Sequence, residues 1–380
     1  MLKSCQNWLG RLRLALRVLL ARRRVGVHHW LVENPYHQMM YCQFADALQP
    51  ARLSNLDELA AFTRLPAKGR LLWVHFEGSY SWGERGAALE RRFLRYQRAI
   101  MRWVSKGGAI AWAVHDIDLH LNDRNAEHID ALRALLCEHA QIIHVHSQAA
   151  KVQVARVLGL DSERVHVVPH PSYATHYPNP PSRGADDRAP RRSLLFFGHL
   201  KPYKNVESLA SALTALTPSG FARLTVAGQK HYELDLDTEA LRAVTDLDIR
   251  PRYIDDDEVP QLFADTHFLA LPYSDSMTSG AAALAMGFGV PIIAADLGGM
   301  RESVPAENHK LLYDPSDSEG LSRALKTARD MSVEEYRSLR TACLTFADNI
   351  HPRRVSEELL RLLCKTHRAA SASERAGRRT

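Results

Sequence analysis

The chain has 380 residues, of which 46% are hydrophobic and 24% are charged, and its formal net charge is +6 at pH 7. This composition excludes a fibrous or disordered protein, and the length is too great for one ordinary core, so two domains are expected. The moderate positive charge favours an anionic partner.

The five cysteines lie far apart and form no CxxC pair. This spacing argues against a disulfide framework and a zinc ribbon, and it is typical of a reducing cytosol. No stretch reaches the roughly 18 apolar residues of a membrane-spanning helix. We therefore expect a cytoplasmic protein. Nucleic acid is not expected as a partner, because the basic residues cluster at the two chain ends without interleaved aromatic residues.

Residues 1–27 are predicted to form a basic amphipathic helix. Leucines recur there at helical spacing with arginines between them, and these leucines are Leu9, Leu12, Leu16, Leu19 and Leu20. Such a helix can lie on an anionic bilayer, which predicts peripheral contact with the inner membrane. The alternative is a surface helix whose leucines pack on the domain body, and the sequence leaves both open.

Short apolar runs alternate with helical patterns over residues 28–176 and again over 193–348. The segment between them, 177–192, is rich in Pro, Gly and charge and reads as a linker. A C-terminal helix over 349–368 and a disordered tail over 369–380 follow. The alternation predicts an α/β fold with two Rossmann-like domains facing each other across a cleft, with ligands at the carboxyl ends of the strands.

The apolar run "SLLFFG" ends in a loop that carries two lysines and precedes a helical pattern. Gly198, His199, Lys201 and Lys204 lie in this loop, and together with the helix N-terminus they suit a diphosphate. Gly228, in the turn after "TVA", is expected beside the same cleft. The alternative for the lysines is an ordinary solvated basic turn.

A second loop, "PYSDSMTSG", lies between an apolar strand and an alanine-rich helix. Tyr273, Met277, Thr278, Ser279 and Gly280 are the candidate ligand-binding residues there. The hydroxyl groups can cap the helix or bind a ligand, the glycine lets a ligand approach the backbone, and the free N–H groups favour a negative charge. The plainer alternative is an N-cap without a ligand.

Polar residues also follow the strands of the N-terminal half. Asn34, Tyr36 and His115 are candidates for binding a second ligand, and Asp116 and Glu77 are the carboxylates placed to act on it. For either carboxylate the structural alternative is a helix cap or an ion pair with an arginine.

Histidines recur in the same half, and His144 and His146 alternate on one strand face. This pattern can suit a metal ion, but no third ligand has a matching spacing. We therefore predict no metal site and no cofactor.

The stretches "FFGHLKPYKNVESL", "VAGQ", "VHVVPHPSY" and "FLALPYSDSMTSGAAALAMGFGVPIIAADLGGMRE" resemble nucleotide-sugar glycosyltransferases of the GT-B architecture over about residues 28 to 365. Together with "ENPYHQMMY" and "WAVHDIDLH" they look most like bacterial exopolysaccharide enzymes, the xanthan-type β-mannosyltransferases that use GDP-mannose. The resemblance implies that the second domain binds the donor and the first binds the acceptor.

The sequence departs from this resemblance at three positions. Many retaining relatives carry two glutamates eight positions apart, where this chain has Ser276 and Leu284. The loss of both acids argues against the retaining way of holding the donor. Relatives often place an arginine after the glycine of the phosphate loop, and His199 stands there instead.

The sequence therefore predicts an inverting, metal-independent transfer of a sugar from a nucleotide-sugar donor, with mannose from GDP-mannose as the first choice. The expected acceptor is a polyprenyl-diphosphate-linked oligosaccharide in exopolysaccharide biosynthesis. Lys201, Lys204 and the start of the helix at Gly280 would stabilise the leaving diphosphate. Asp116 is the first candidate for the base and Glu77 the second. The alternatives are a retaining enzyme that uses a UDP-sugar, an epimerase of similar architecture, and a phospho-ligand binding protein without chemistry.

Overall fold

The structure is a computed structural model of the chain. It describes residues 25–363 except for 33, 45–48, 82–83, 118–125, 174, 178–191, 217–219 and 233–234. The predicted helix over 1–27 and the predicted linker over 177–192 lie outside the described residues except at their ends. The predicted tail over 369–380 lies wholly outside them.

The chain forms two compact units. The first unit comprises residues 1–146, 151–168 and 355–380, and the second comprises residues 147–150 and 169–354. Each unit contains one parallel six-stranded sheet, so the predicted α/β class with two Rossmann-like sheets is confirmed. Within the predicted C-terminal helix, residues 352–363 are helical, and the chain returns to the first unit along them.

The sheet of the first unit is built from apolar runs that are buried on both faces, as parallel strands are when helices cover them. Its strands are β1 (Val25–His28), β2 (Ala51–Leu53), β3 (Leu71–His75), β4 (Ala109–Ala113), β5 (Ala140–Val145) and β6 (Val165–Val167). The strand order is β2-β1-β3-β4-β5-β6. Gly26 is needed in β1, because a β-carbon there would lie 2.6 Å from the Phe62 ring.

The helices of this sheet's connections are α1 (Tyr36–Met40), α2 (Leu56–Phe62), α3 (Gly86–Ser105), α4 (Ala126–His139) and α5 (Gln148–Leu158). The longest, α3, is amphipathic. Its buried residues recur every three or four positions, as one face of a helix requires, and include Leu89, Phe93, Tyr96, Ile100 and Trp103. Its opposite face is left to solvent.

The sheet of the second unit comprises β7 (Arg192–Phe197), β8 (Phe221–Ala227), β9 (Asp246–Arg250), β10 (Phe268–Leu271), β11 (Ile292–Ala295) and β12 (Leu312–Tyr313). The strand order is β12-β11-β10-β7-β8-β9. The chain proceeds from β7 outward to β9 and then returns to place β10 on the other side of β7. The order therefore reverses between β7 and β10, and in open α/β sheets this switch point is where ligands bind.

The connections of the second unit contain α6 (Val206–Ala215), α7 (Thr238–Val244), α8 (Val259–Ala264), α9 (Gly280–Gly287), α10 (Gly320–Asp330) and α11 (Val333–Asn349). Ser332 and Glu335 form a reciprocal capping box at the start of α11. The buried guanidinium of Arg192 donates to the carbonyls of Ala328 and Met331, at 2.8 and 2.6 Å, and so ties the start of β7 to the end of α10. Within the described residues, no helix is both long and apolar enough to cross a bilayer.

Candidate functional site

The two loops at the switch point of the second sheet are bound to each other. The backbone N–H of Ser274, after β10, donates to the carbonyl of Tyr203, after β7, at 2.9 Å. The Ser274 hydroxyl donates to the same carbonyl at 3.2 Å. The residues predicted to bind the donor therefore lie on loops with a fixed relation to each other, at the carboxyl ends of neighbouring strands.

Two glycines allow the loops after β7 and β8 to cross closely. Gly198 and Gly228 have φ angles of 124° and 150°, which side-chain-bearing residues rarely adopt. A β-carbon on Gly228 would lie 1.8 Å from the Gly198 carbonyl oxygen, so no other residue fits there. Beyond the glycines, Leu200 donates its N–H to the carbonyl of Gln229 at 2.9 Å. The two glycines predicted for the donor site thus shape its backbone.

The Lys204 ammonium lies over an aromatic ring at the switch point. Its Nζ is 3.9 Å from the centroid of the Tyr273 ring and 5.5 Å from that of Tyr203. No carboxylate of the described residues forms an ion pair with it. Burial lowers the pKa of Lys204 below its ordinary value, because desolvation disfavours the charged form. A bound anion would relieve this cost, so the position suits a phosphate group.

His199 pairs with a second imidazole from the neighbouring loop. Its Nδ1 lies 2.8 Å from Nε2 of His231, and both side chains are exposed. Partial burial and the nearby positive groups of His231, Lys201 and Lys204 lower the pKa of His199. A bound diphosphate would offset this repulsion, so the pair can add hydrogen-bond donors to the anion site.

The loop after β10 leads into α9 through a side-chain cap. Ser279 is the N-cap residue, and its hydroxyl accepts from the N–H of Ala282 at 3.3 Å. The Thr278 hydroxyl oxygen is buried, and no described group bonds to it. A β-carbon on Gly280 would lie 3.4 Å from the Tyr173 hydroxyl and 3.8 Å from Nε2 of His170. The start of α9 therefore gathers free backbone N–H groups and polar side-chain atoms.

Tyr273 and Met277 are buried, and their contacts help to fix the conformation of this loop. Tyr273 places its ring under Lys204, and the Met277 carbonyl accepts the N–H of Gly299 at 3.2 Å. Gly298, at a φ of 51°, is required because a β-carbon there would lie 2.0 Å from the Ser276 carbonyl oxygen. Ser276 and Leu284 stand where retaining relatives have two glutamates, so neither position offers a carboxylate. The side chain of Leu284 is buried in α9.

In the first unit the Arg133 guanidinium bonds to the carboxylate of one candidate base and to the backbone carbonyl of the other. Glu77 is buried, and its carboxylate accepts from Arg133 Nε at 3.0 Å and from the Trp112 indole at 3.4 Å. The same guanidinium donates to the backbone carbonyls of Asp116 and Ile117, at 3.0 and 2.9 Å. The Asp116 side chain is exposed. Arg133 therefore holds the two strand ends together while only the Asp116 carboxylate faces solvent.

The candidates for the second ligand lie beside a set of buried rings. Asn34 accepts the N–H of Tyr36 at 2.9 Å, and the buried Tyr36 hydroxyl lies 3.0 Å from Nε2 of His146. His115 is half-buried, and its Nε2 lies 2.9 Å from Nδ1 of the buried His75. Tyr36 is thus buried among these rings, whereas His115 and Asn34 are only half-buried.

Five imidazoles of the first unit are buried and held neutral. Burial lowers the pKa of His28 and His37 to about 3 and that of His146 to about 4, and it places the pKa of His75 and His144 well below the ordinary value. Within the described part of the chain, no group of three or more His, Cys, Asp or Glu residues is arranged to hold a metal ion.

Several residues of the second-unit site were not predicted from the sequence. His231 lies three residues after Gly228, and it meets His199 because β7 and β8 are neighbours in the sheet. His170 and Tyr173 follow β6 and lie in the second unit, whereas the predicted first domain, 28–176, includes both. The strand order of the second sheet, once known, is the signal that locates His231.

The family profile described as "Glycosyl transferases group 1" matches residues 191–330. This segment contains all six strands of the second sheet and both loops of the switch point. No curated protein matches the chain by sequence.

Several solved structures are similar to this one. HepE from Anabaena in complex with UDP has a TM-score of 0.68 at 15% identity, covering 90% of this chain and 100% of that one. Sucrose-phosphate synthase from Thermosynechococcus elongatus has 0.61 at 14%, covering 85% and 82%. The UDP-forming α,α-trehalose-phosphate synthase from Burkholderia vietnamiensis has 0.56 at 16%, covering 83% and 78%. The family match and the shared GT-B fold confirm the predicted enzyme class, a glycosyltransferase.

Glu77 is expected to be a structural residue. Glu77→Leu should lower the free energy of unfolding by about 3 kcal/mol, because it leaves the Arg133 charge buried without its carboxylate. Asp116→Asn, at an exposed side chain, should change it by no more than about 0.5 kcal/mol. Urea denaturation measures both, and the double variant Glu77→Leu with Arg133→Met should recover much of the loss. Equal, small effects of the two single variants would contradict the assignment.

The buried histidines predict a loss of stability in acid. Well above pH 6.5 these imidazoles are neutral in both states, whereas below it the unfolded chain binds protons that the folded chain excludes. The free energy of unfolding should therefore fall with pH, with a slope that approaches about 1.4 kcal/mol per pH unit for each such imidazole near pH 5. Urea denaturation between pH 7 and 5 checks this slope.

The matched variants for this slope lie on one strand. His144→Leu should reduce the slope by one proton, since it removes a buried imidazole. Ile143→Ala should lower stability equally at every pH because it removes packing alone. A slope that His144→Leu leaves unchanged would contradict the account.

Proposed function

We propose that this glycosyltransferase binds a nucleoside diphosphate sugar at the switch point of the second sheet and transfers the sugar to a lipid-linked oligosaccharide. The observation that carries the proposal is the Lys204 ammonium, which no described carboxylate neutralises, between two loops that are fixed to each other. An uncompensated cation at the carboxyl ends of parallel strands is a site for an anion.

The leaving diphosphate gains negative charge as the glycosidic bond breaks. Lys204 and Lys201 supply positive charge from one loop, and the N–H groups at the start of α9 supply partial positive charge from the other. The Thr278 hydroxyl and the His199 imidazole add donors at the same edge. Groups already oriented toward the developing charge stabilise the transition state without reorganisation.

GDP-mannose is the proposed donor, because the motifs "ENPYHQMMY" and "WAVHDIDLH" resemble those of xanthan-type enzymes. A UDP-sugar is the second candidate, favoured by the UDP bound in HepE and by the UDP-forming trehalose-phosphate synthase. Both donors place the same diphosphate at the switch point. They differ in the base and the sugar.

An inverting transfer needs a base for the acceptor hydroxyl. We assign this role to Asp116, whose carboxylate is exposed, over Glu77, whose carboxylate is buried against Arg133. His115 and Asn34 are the proposed acceptor contacts. The inverting course is favoured by Ser276 and Leu284, which leave no carboxylate where retaining relatives hold the donor sugar.

The acceptor is proposed to be a polyprenyl-diphosphate-linked oligosaccharide in exopolysaccharide biosynthesis, reached from the cytoplasmic side of the inner membrane. The support for it is the resemblance to exopolysaccharide enzymes and the basic composition of residues 1–27, which lie almost wholly outside the described residues.

Lys204→Met tests the donor site most directly. The variant should weaken binding of GDP or UDP by about 10- to 100-fold, the usual effect of losing one charged hydrogen-bonding group. Isothermal titration calorimetry with each nucleotide measures the effect. Lys326→Met, at an exposed lysine of α10, is the matched control and should bind as the wild type does.

Two results would contradict the donor site. One is an unchanged dissociation constant for Lys204→Met. The other is a lower melting temperature of this variant without nucleotide, because removal of a partly desolvated, uncompensated charge should not destabilise the free protein.

A further inference from the structure

The outer face of α3 carries four arginines in a single row. Arg91, Arg95, Arg98 and Arg102 recur at intervals of four, three and four residues, which places them on one side of the helix. This side is opposite to the buried row that begins at Leu89. The arginines extend over about 16 Å of helix, at 1.5 Å per residue.

Most of this charge is not neutralised. Arg95 pairs with Asp57 of α2. In the described part of the chain, Arg91, Arg98 and Arg102 form no ion pair with a carboxylate. Two further acids on or just before this helix already have partners: Glu90 bonds to His128, and Glu84 bonds to Arg92.

The basic surface continues beyond the end of α3. The Lys106 ammonium donates to the carbonyls of Thr63 and Arg64, at 3.4 and 2.7 Å, which brings the end of α2 beside it. The side chains of Arg64 and Lys68 are exposed there. The positive charge therefore covers the face of α3 and the loop at its C-terminal end.

Apolar side chains lie along one edge of the arginine row. Met101 is 42% exposed, and Leu94 is half-buried, each one helical turn from an arginine of the row. Cationic side chains with neighbouring apolar ones suit the surface of an anionic bilayer, where the charges meet lipid phosphates and the apolar groups enter the interface. A nucleic acid would favour exposed aromatic residues for stacking, and the aromatic residues of this stretch, Phe93 and Tyr96, are buried.

We propose that this arginine face of α3, defined by Arg91, Leu94, Arg95, Arg98, Met101 and Arg102, docks the protein on an anionic lipid surface. The proposal deepens the proposed function. The role given to docking rests on that function, since a lipid-linked acceptor is presented at such a surface. The docking surface lies within the first unit, at residues other than the N-terminal segment over 1–27.

Vesicle flotation of the full chain tests the proposal, with phosphatidylcholine vesicles that do or do not contain phosphatidylglycerol. The wild type should float only with the anionic vesicles. The variant R91Q/R98Q/R102Q should lose about 100-fold in partition coefficient, since each basic residue near an anionic surface contributes about fivefold. R91K/R98K/R102K should bind nearly as the wild type does, because a lipid surface responds to charge more than to guanidinium geometry.

A matched control removes three exposed positive charges elsewhere. R156Q/K326Q/R353Q changes the net charge by the same amount, and it should float as the wild type does. Equal losses in the two triple variants would overturn the proposal, since net charge alone would then explain binding. Unchanged flotation of R91Q/R98Q/R102Q, or equal flotation of the wild type with neutral vesicles, would also overturn it.

Two further measurements separate this proposal from its rivals. If R91Q/R98Q/R102Q lost affinity for a single-stranded oligonucleotide but kept vesicle binding, the face would be a nucleic-acid surface and the proposal would be wrong. Nucleotide binding by the same variant should equal that of the wild type, because these arginines lie outside the donor site. A failure of docking with intact nucleotide binding would leave the proposed transferase function standing.

Discussion

A partly desolvated ammonium without a counter-charge is costly, and such groups cluster at functional sites. Lys204 is half-buried, and no carboxylate of the described residues pairs with it. Its Nζ lies on the Tyr273 ring, and burial lowers its pKa because the charged form has lost water. The ring face offsets part of this cost. A bound anion would recover the remainder, so the proposed donor site would gain affinity from a cost already present in the free protein.

Backbone contacts between neighbouring loops fix the loop that carries this lysine. Gly228 and Gly198 let two loops cross at a distance no side chain permits, and the Tyr203 carbonyl binds Ser274 of the loop after β10. These contacts join the residues after three neighbouring strands into one edge. The first unit differs in character. Its strand ends carry buried neutral imidazoles and the exposed Asp116 carboxylate, and the one guanidinium described beside them, that of Arg133, is paired with Glu77. This contrast supports the proposed assignment of the diphosphate to the second unit and of the acceptor hydroxyl to the first.

The sequence predicted the candidate binding loops that come directly after an apolar strand. The apolar runs before Gly198 and Tyr273 located both switch-point loops, because alternating strands and helices imply a parallel sheet whose ligands gather at the carboxyl ends. Strand order was not available from the same pattern. The contact between His199 and His231 depends on β7 and β8 being neighbours, and the sequence does not state which strands pair.

The sequence did not show which of the candidate side chains are buried. Glu77 and Asp116 have similar positions after their strands, and only Arg133, which is 56 residues beyond Glu77, distinguishes them. The same holds for α3, whose arginine row is visible as a pattern but whose exposure depends on how the helix packs. Local propensity and periodicity predict elements, whereas the accessibility of a charged group is set by residues distant in sequence.

The most direct measurement of the central claim is a crystal structure of the protein soaked with GDP or UDP. The account predicts diphosphate density at the switch point of the second sheet, with a phosphate oxygen within hydrogen-bond distance of Lys204 Nζ and another at the N–H groups that begin α9. Nucleotide density at any other place, with Lys204 still resting on the Tyr273 ring and no phosphate beside it, would contradict the account.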